Sequence, residues 1–508
     1  MLNIAYLILL KPDNRMNVAR KKLLLINPIN KHSQGFVGDP STSYMPLGLG
    51  IIAALTPLNW DIDLVDESFE DFTFRPADLV GLTAFTANAP RAYEIAEIYR
   101  QKGVHTVMGG IHASMMTEEV AKYVDTVVAG EAETVWPVFL NDFEAGQPKA
   151  LYNGGVTPVA MIPHVRRDIF KYPYVSDLIQ TSRGCPMGCD FCSVTQLCGK
   201  QYREREVEDV LDELEKLTRP MLFIVDDHLV NNNKSGRERA ISLFKGMVKR
   251  GIRKLWFGQA SINFGDDDEV LYWAAKSGCT LILLGIEAET TEALADAKKR
   301  LNLKRGVDSY KQSFKKIHKH GIAILGAMIF GMESDGRDEL LARRDFILKS
   351  GIDAIQSSIM TPLPGTGLFF RMKAENKIGL INFPEDWKYY HFMHATMGTS
   401  KLTREELQET MKEVWWSMYN KDNIRKMMFK TLWRTRNLKA AYWVYGTNHN
   451  YGRIVLEDKI NDNPDGLNRN LEWNSGKRSL YLKLTDYILI VLYAISWNKM
   501  VDRFRGRH

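Results

Sequence analysis

The sequence contains few cysteines and has no apolar run long enough to cross a membrane. Five cysteines among 508 residues are too few for a disulfide scaffold, and three of them stand close together, which indicates a reducing compartment. The apolar runs Ile4 to Leu10 and Tyr487 to Trp497 are much shorter than the roughly 20 residues that a membrane-spanning helix needs. The first run also lacks the basic flank and the cleavage site of a signal peptide. We therefore expect a cytoplasmic protein.

Internal repeats and low-complexity segments are also lacking, so neither a repeat array nor a long disordered tract is expected. A chain of 508 residues exceeds one typical domain, and two or three domains are expected. A hydrophobic content of 45% with 25% charged residues is typical of a globular protein with substantial cores. The net charge of +6 is mild, and the excess of basic residues is concentrated near the C-terminus.

Three cysteines form a C-x-x-x-C-x-x-C motif, Cys185, Cys189 and Cys192, directly after a strand-like run. Three thiolates can hold three irons of a 4Fe–4S cluster, whereas ordinary electron-transfer clusters use four. The fourth iron would then be open to a substrate or cofactor. The alternative is a zinc site, which needs a fourth ligand, and Cys198 is the nearby candidate. The spacing favours the cluster.

The first part of the chain alternates predicted strands with predicted helices. This alternation predicts a parallel sheet with helices on both faces, a Rossmann-like domain over residues 21 to 145. Ligands of such sheets lie beyond the carboxyl ends of the strands, where glycines allow close approach. The predicted strands are Leu23 to Asn27, Ile62 to Val65, Leu79 to Ala84, His105 to Met108 and Thr126 to Val128, and the helices are Leu47 to Leu55 and Ala89 to Gln101.

A second alternation follows a stretch, residues 146 to 174, that we expect to be a linker of irregular structure because it is rich in glycine and proline. Six strand–helix units over residues 175 to 375 predict a partial (β/α)6 barrel with its function at the strand ends. The predicted strands are Asp177 to Thr181, Met221 to Val225, Lys254 to Ser261, Thr280 to Ile286, Ile322 to Phe330 and Ala354 to Met360; the helices between them include Glu206 to Leu217, Glu238 to Arg250 and Arg337 to Lys349.

Residues 376 to 508 are expected to form a mainly helical cap with a basic amphipathic tail. In the helix Arg404 to Tyr419, one of the adjacent Trp415 and Trp416 should pack inward, and the aromatic stretch Asp386 to Tyr390 should reach over the barrel mouth. The basic, aromatic segment Lys421 to Tyr445 has two interpretations. It can lie on an anionic membrane surface as a peripheral contact, or it can pack on the protein with its basic residues solvated. No motif supports nucleic-acid binding, and none is expected.

The cysteine motif resembles that of the radical S-adenosylmethionine (SAM) superfamily, including the aromatic residue Phe191 before the last cysteine. In that superfamily, SAM binds the open iron, and an electron from the cluster cleaves it to methionine and a 5′-deoxyadenosyl radical. The resemblance implies that Cys185, Cys189 and Cys192 hold the cluster and that the ends of the barrel strands bind SAM. The SAM-binding residues that it implies are Phe191, Asp226, Asp227, Gln259, Ser261, Glu287, Ile329 and Gly331. By itself, an aspartate after a strand is more often a helix cap.

The first domain resembles the cobalamin-binding domain that precedes many radical SAM domains. The resemblance is carried by four stretches, Tyr44 to Gly50, Val80 to Thr86, Met108 to Ala113 and Val128 to Glu133. It implies a cobalamin site made by Leu47, Thr83, Phe85, Gly109, Gly110, His112, Gly130 and Glu131. The usual D-x-H-x-x-G element departs from the pattern, because Asn30 replaces the aspartate that would polarise His32. We therefore expect His32 to be a solvent-exposed loop histidine, with ligation of cobalt as the alternative. The resemblance implies that cobalamin can be bound without a protein nitrogen ligand, since radical SAM relatives often lack this element.

Together the two resemblances imply a cobalamin-dependent radical SAM enzyme that most often methylates an unactivated carbon, with methylcobalamin as the methyl donor. Such chemistry needs few acid–base side chains, and the sequence points to no catalytic acid or base. The expected partners are a small-molecule or lipid-like substrate and an electron donor such as flavodoxin or ferredoxin. The alternatives are a radical cyclase, oxidase or carbon–carbon coupling enzyme acting on a tetrapyrrole or lipid, and a non-catalytic cobalamin or redox sensor.

Overall fold

The computed structural model describes residues 20–32, 43–231 and 233–457. The two apolar runs Ile4 to Leu10 and Tyr487 to Trp497 lie outside the described residues, and so does most of the stretch that follows His32. Within the described ranges, no helix is both long enough and apolar enough to cross a membrane.

The first sheet contains, among the described residues, six parallel strands in the order β2-β1-β3-β4-β5-β6. Alternate side chains of β1 are buried against helices on opposite faces: Leu23 and Leu25 pack with α1 and α5, and Leu24 and Ile26 pack with α2. The strands are β1 Lys21–Asn27, β2 Trp60–Asp66, β3 Leu79–Thr83, β4 His105–Gly109, β5 Thr126–Ala129 and β6 Leu151–Asn153; the helices are α1 Leu47–Leu55, α2 Ala89–Arg100, α3 Ile111–Met115, α4 Thr117–Val120 and α5 Trp136–Glu144.

The five predicted strands of this sheet are confirmed, and the stretch after them differs from the expectation. Residues 146 to 174 were expected to be irregular, but β6 extends the sheet by pairing with β5, Val127 opposite Leu151. The rest of the stretch is also packed rather than free, because Ile169, Phe170 and Tyr174 are buried against the sheet. A strand of three residues in a glycine-rich context carries too little pattern to be recognised in the sequence.

The second sheet, in the described part of the chain, contains six parallel strands in the order β14-β13-β12-β11-β10-β7 and is open between its two edges. All six strands were predicted, so the partial barrel is confirmed. A short antiparallel pair, β8 with β9, follows the first strand. The strands are β7 Asp177–Ile179, β8 Ser182–Arg183, β9 Arg203–Glu204, β10 Met221–Ile224, β11 Leu255–Ala260, β12 Cys279–Glu287, β13 Ala323–Phe330 and β14 Ala354–Ile359.

Helices cover one face of the second sheet, against which alternate residues such as Ile282, Leu284 and Ile286 are buried. Their bounds agree with the predicted helices to within a few residues. The helices between the strands are α6 Val194–Leu197, α7 Val207–Leu214, α8 Lys234–Lys249, α9 Asp268–Lys276, α10 Thr291–Asp296, α11 Arg300–Arg305, α12 Tyr310–Lys319 and α13 Arg337–Ser350; after the last strand follow α14 Gly367–Ala374, α15 Arg404–Met418, α16 Lys421–Thr435 and α17 Leu438–Glu457.

The basic segment is two helices, α16 and α17, because the chain turns at Arg436, where φ is +53°. Helix α17 packs on the sheet face opposite the helical layer, with Ala440 and Val444 buried against Phe257 and Leu281. The packing interpretation therefore accounts for part of the apolar residues of the segment, whereas Phe429, Trp433 and Tyr442 are 43%, 66% and 41% exposed. A membrane contact of its exposed basic face stays a prediction. In α15, Trp415 is 2% exposed and Trp416 is 68% exposed, which confirms that one of the two packs inward.

Candidate active site between the two sheets

The cysteine loop is closed at its base by the β8–β9 pair, in which Arg183 lies opposite Arg203. The two arms of the loop cross closely above this pair. Gly184 has a φ of +86°, and a Cβ there would lie 2.2 Å from the carbonyl oxygen of Gln201, so no other residue fits. The amide of Cys185 donates to the carbonyl of Gly199 across the same crossing, at 3.4 Å. The backbone therefore fixes where the first cysteine leaves the sheet.

The three cysteines of the motif are half-buried in this loop. Burial raises the pKa of each thiol, that of Cys192 to about 12, so the thiolates need a positive charge that bound iron would supply. Within the described ranges, no three His, Cys, Asp or Glu side chains converge as they would on a single metal ion. Each thiolate of a 4Fe–4S cluster binds a different iron, so the three cysteines of this motif can hold three of its four irons.

The acidic pair at the end of β10 divides into two roles. Asp226 is fully buried, and its carboxylate accepts from the Thr181 amide at 2.6 Å, the Thr181 hydroxyl at 2.5 Å and the Ser182 hydroxyl at 2.8 Å. It therefore braces the start of the cysteine loop, and this saturated carboxylate differs from the expected SAM contact. Asp227 is half-buried and makes no hydrogen bond to another described residue. Burial and the neighbouring Asp226 raise its pKa to about 6.

The next strand end carries Ser261, which is bonded to His228 rather than left for a ligand: the hydroxyl lies 2.9 Å from His228 Nδ1. Burial lowers the pKa of His228 to about 4, with a further contribution from Lys299, so the imidazole is neutral at pH 7. In the described part of the chain, His228 Nε2 is buried without a hydrogen-bond partner. Gln259, two residues before Ser261, is half-buried.

Glu287 ends β12 with a φ of +65° and is paired with Lys299, whose Nζ lies 2.7 Å from Glu287 Oε1. Both side chains are almost fully buried. The charge of Lys299 also partly offsets the effect of burial on the pKa of Cys189. Sequence reasoning missed Lys299, since a lysine inside the run Lys298-Lys299-Arg300 is indistinguishable from a solvated charge.

The end of β13 is held in place by a carboxylate from the segment that follows the strand. Asp335 accepts from the amides of Gly331, at 3.0 Å, and Met332, at 2.9 Å. The same carboxylate is paired with the fully buried Arg343 at 2.6 Å. Ile329, two residues before Gly331, is 8% exposed. The segment that the sequence predicts to contact SAM is therefore held in one position by a buried ion pair.

Glycine backbone forms the middle of the carboxyl edge of the first sheet, at the ends of β4 and β5. Gly110 has a φ of +91°, and a Cβ there would lie 2.5 Å from Thr83 Oγ1. Gly109, directly before Gly110, ends β4, and Gly130 directly follows the neighbouring strand β5. Phe85 is 72% exposed at the end of β3, and Leu47 is half-buried at the start of α1. A flat, glycine-lined edge of this kind fits a bulky macrocycle.

His112 does not face this edge, because it is fully buried. Its Nε2 lies 3.0 Å from the hydroxyl of Tyr93, and Glu119 joins the network by accepting from Tyr93 at 2.8 Å and from Trp387 Nε1 at 2.9 Å. Trp387 belongs to a short 3-10 helix, Glu385–Tyr389. The aromatic stretch that was expected over the barrel mouth is therefore anchored to the first domain.

His32 is half-buried, and its amide donates to Asn30 Oδ1 at 3.0 Å. The amide group of Asn30 in turn donates to the carbonyl of Lys388 at 2.7 Å. The residue that replaces the aspartate of the usual cobalamin motif thus ties the loop to the cap.

The two edges face each other across the cysteine loop. Arg183 and Arg203, at the base of the loop, form ion pairs with Glu131 and Glu133 at the end of β5. Glu131 was expected to contact cobalamin, but both of its oxygens are bonded to arginine. On the other side, Phe191 packs in one apolar cluster with Met116 of the first domain and Leu368 of α14. The residues present therefore fit a cluster, SAM and cobalamin gathered in one cleft.

Comparison with known proteins agrees with this geometry. Residues 36–140 match the family model described as B12 binding domain, and residues 179–347 match that of the Radical SAM superfamily. The bacteriochlorophyllide d C-12(1)-methyltransferase of Chlorobaculum tepidum is 31% identical over 431 residues, which are 81% of this chain and 90% of that protein. The C-8(2)-methyltransferase of the same organism is 28% identical over 426 residues, 79% and 91% of the two chains.

The structure of the radical SAM methyltransferase TsrM from Kitasatospora setae, with cobalamin and a 4Fe–4S cluster bound, superimposes with a TM-score of 0.59 at 15% identity, over 79% of this chain and 90% of that one. This likeness shows the shared fold. From the 31% identity over nine-tenths of a relative and the two domain matches, the chain belongs to the family of cobalamin-dependent radical SAM C-methyltransferases, enzymes that use a 4Fe–4S cluster, SAM and cobalamin.

Proposed function

We propose that the protein methylates an unactivated carbon of a hydrophobic substrate of the tetrapyrrole class. The observation that carries the proposal is that the glycine-lined edge and the cysteine loop face each other, so that one bound molecule can be reached from both. The substrate class is supported by the two relatives above, whose names specify bacteriochlorophyllide d and whose alignments each cover about nine-tenths of the relative.

The site residues have the following proposed roles. Cys185, Cys189 and Cys192 hold the cluster, and the unbonded carboxylate of Asp227 pairs with the ammonium group of SAM. Glu287, held by Lys299 at 2.7 Å, accepts from the ribose hydroxyls. Further SAM contacts are proposed for Phe191, Gln259, Ile329 and Gly331, and cobalamin contacts for Leu47, Thr83, Phe85, Gly109, Gly110 and Gly130.

When bound, the cluster and SAM supply hydrogen abstraction, and cobalamin supplies the methyl group. The side chains of this chain contribute position and the exclusion of water. The titratable groups agree with that division: Asp226 is saturated by three donors, and His228 is held neutral by burial.

The test is an anaerobic assay of the enzyme loaded with cluster and cobalamin, with SAM deuterated in its methyl group, a flavodoxin reducing system and bacteriochlorophyllide d as the probe substrate. Each methyl group added should consume two SAM molecules and two electrons. One SAM gives methionine and 5′-deoxyadenosine, and the other gives S-adenosylhomocysteine. The deuterated methyl group should appear in the product.

Two outcomes would contradict the proposal. Formation of 5′-deoxyadenosine with a changed but unlabelled tetrapyrrole would mean that the enzyme cyclises or oxidises its substrate. Label in a hopanoid lipid offered in parallel, with none in the tetrapyrrole, would move the substrate to the lipid class.

A further inference from the structure

Four charged side chains form a buried group where the two domains meet, which we call the junction ion cluster: Arg183, Arg203, Glu131 and Glu133. The arginines lie opposite each other on β8 and β9, and Arg183 is two residues from Cys185. The glutamates follow Gly130 at the carboxyl end of β5. All four side chains are at most 8% exposed. The group therefore joins the base of the cysteine loop to the glycine-lined edge.

The contacts within the junction ion cluster are short and shared. Arg203 grips Glu131 with two nitrogens, at 2.5 and 2.9 Å. Arg183 bonds Glu131 at 3.1 Å and Glu133 at 2.6 Å. The amide of Thr157 adds a donor to Glu131 at 2.8 Å. Two positive and two negative charges balance, and the paired planar groups fix direction as well as distance.

The backbone on the Glu131 side leaves no room for adjustment. A Cβ on Gly154 would lie 1.7 Å from the carbonyl oxygen of Glu131, so the end of β5 is packed directly against the backbone that follows β6. On the other side, Arg203 also donates to the carbonyl of Cys198 at 3.0 Å, inside the cysteine loop. The ion pairs thus connect one rigid edge to the loop itself.

Stability alone does not account for charges at this place. Burying ions costs solvation, and apolar residues of similar volume often stabilise a fold equally well. What a buried, bidentate network adds is a single relative orientation of the groups that it joins. Since the loop holds the cluster and the edge faces cobalamin, this orientation sets the distance between the two cofactors.

We propose that the junction ion cluster positions the cysteine loop against the cobalamin edge, and that its four members are positioning residues for methyl transfer. The inference depends on the cofactors of the family and is independent of the substrate proposed above. Its failure would leave the tetrapyrrole proposal intact, and a different substrate would leave the inference intact.

The test compares the variants Arg203→Met, Arg203→Lys and Glu131→Gln with the unaltered protein, each loaded with cluster and cobalamin. The first readout is pulsed EPR of the dipolar coupling between the reduced cluster and cob(II)alamin, which reports their separation without turnover. The second is iron and cobalamin content per chain. The third is the number of methyl groups transferred per 5′-deoxyadenosine formed.

Glu213→Gln is the matched control. Glu213 is equally buried and is also bonded to two arginines, Arg167 and Arg205, each at 2.8 Å, but it belongs to α7 of the barrel, and it shares no ion pair with the junction ion cluster. A general loss of packing would affect this variant and the junction variants alike.

We expect Arg203→Met and Glu131→Gln to retain both cofactors while the distribution of cluster–cobalt distances broadens and the methyl yield per 5′-deoxyadenosine falls several-fold. Arg203→Lys should fall between them and the unaltered protein, and Glu213→Gln should change neither readout. If Arg203→Met does not fold, Arg203→Lys and Glu131→Gln still decide. Unchanged distances and unchanged yield in folded junction variants would overturn the proposal, and so would equal changes in Glu213→Gln.

Discussion

The carboxyl edge of the first sheet and that of the barrel face each other and present different chemical groups. Where the edge of the first sheet faces the cofactor site, it presents glycine backbone at the ends of two neighbouring strands, β4 and β5, with the exposed Phe85 beside them. The edge of the barrel is charge: Asp226, Asp227, Glu287 and the unforeseen Lys299 lie at its strand ends or beside them. A glycine edge selects a large ligand by shape. A charged edge binds a small zwitterion by pairing with its groups.

Substitutions at the two edges are expected to cause different kinds of damage. At the glycine edge, an added Cβ collides with a neighbouring atom, Thr83 Oγ1 beside Gly110 or the Gly155 backbone beside Gly130, so the damage is steric and should affect the binding of one cofactor. At the barrel edge, the loss of one atom leaves a buried partner uncompensated, so the damage spreads to folding. Substitutions at the two edges should therefore fail in distinguishable ways.

The largest expected effect is the loss of the cluster at the barrel edge while the cobalamin site of the first sheet stays intact. Cys189→Ala removes one of three thiolates, and the protein should lose its iron and all detectable 5′-deoxyadenosine formation while it still binds cobalamin. Iron analysis and absorbance titration with hydroxocobalamin measure the two properties. Cys198→Ala, in the same loop, is the control and should keep its iron. Loss of iron from this control would mean that a fourth thiolate is used, as in a closed cluster.

A second pair of substitutions compares the two aspartates at the end of β10. Asp226→Asn should lower the free energy of unfolding by about 2 kcal/mol, because three buried donors lose their carboxylate. Asp227→Asn should raise the free energy of unfolding at pH 7, because a carboxyl whose pKa is raised to about 6 destabilises the folded state when it is charged. It should also weaken SAM binding about tenfold, which corresponds to about 1.4 kcal/mol. Denaturant unfolding and equilibrium SAM binding by the cluster-loaded protein measure these values. If both variants weaken SAM binding to the same extent, it is wrong to assign a structural role to Asp226 and SAM binding to Asp227 alone.

At the glycine edge, Gly110→Ala should cost about 1–2 kcal/mol of unfolding free energy from its left-handed backbone and weaken cobalamin binding about tenfold by displacing Thr83. Gly103→Ala is matched, since its φ is +72° but no atom lies within 4 Å of the added Cβ. It should show the backbone cost alone. Equal cobalamin affinity in the two variants would mean that the ligand does not approach Gly110.

The same difference explains what the sequence could and could not predict. Strand order, barrel and glycine positions follow from hydrophobic alternation and turn residues, which are local in sequence. The partners of charged groups are not local: Glu131 meets Arg203, 72 residues away, and Trp387 meets Glu119, 268 residues away. Motif resemblance placed Glu131, Asp226 and Ser261 at the right edges, but it could not show that their oxygens are already bonded.

The smallest expected effect tests whether the C-terminal cap contributes to cobalamin binding at the edge of the first sheet. Trp387→Phe keeps the stacking of the ring on Phe383, whose centroid is 3.6 Å away, but removes the donor to Glu119. Because the acceptor is a carboxylate, we expect a loss of about 1.5 kcal/mol in denaturant unfolding, with a weaker affinity for cobalamin. Trp415→Phe is matched, since it loses a bond of 2.9 Å to the neutral hydroxyl of Ser357 on β14. It should cost about 1 kcal/mol and leave cobalamin binding unchanged. An unaltered cobalamin affinity in Trp387→Phe would mean that the cap is only fastened to the first domain, and that the glycine edge determines cobalamin binding without it.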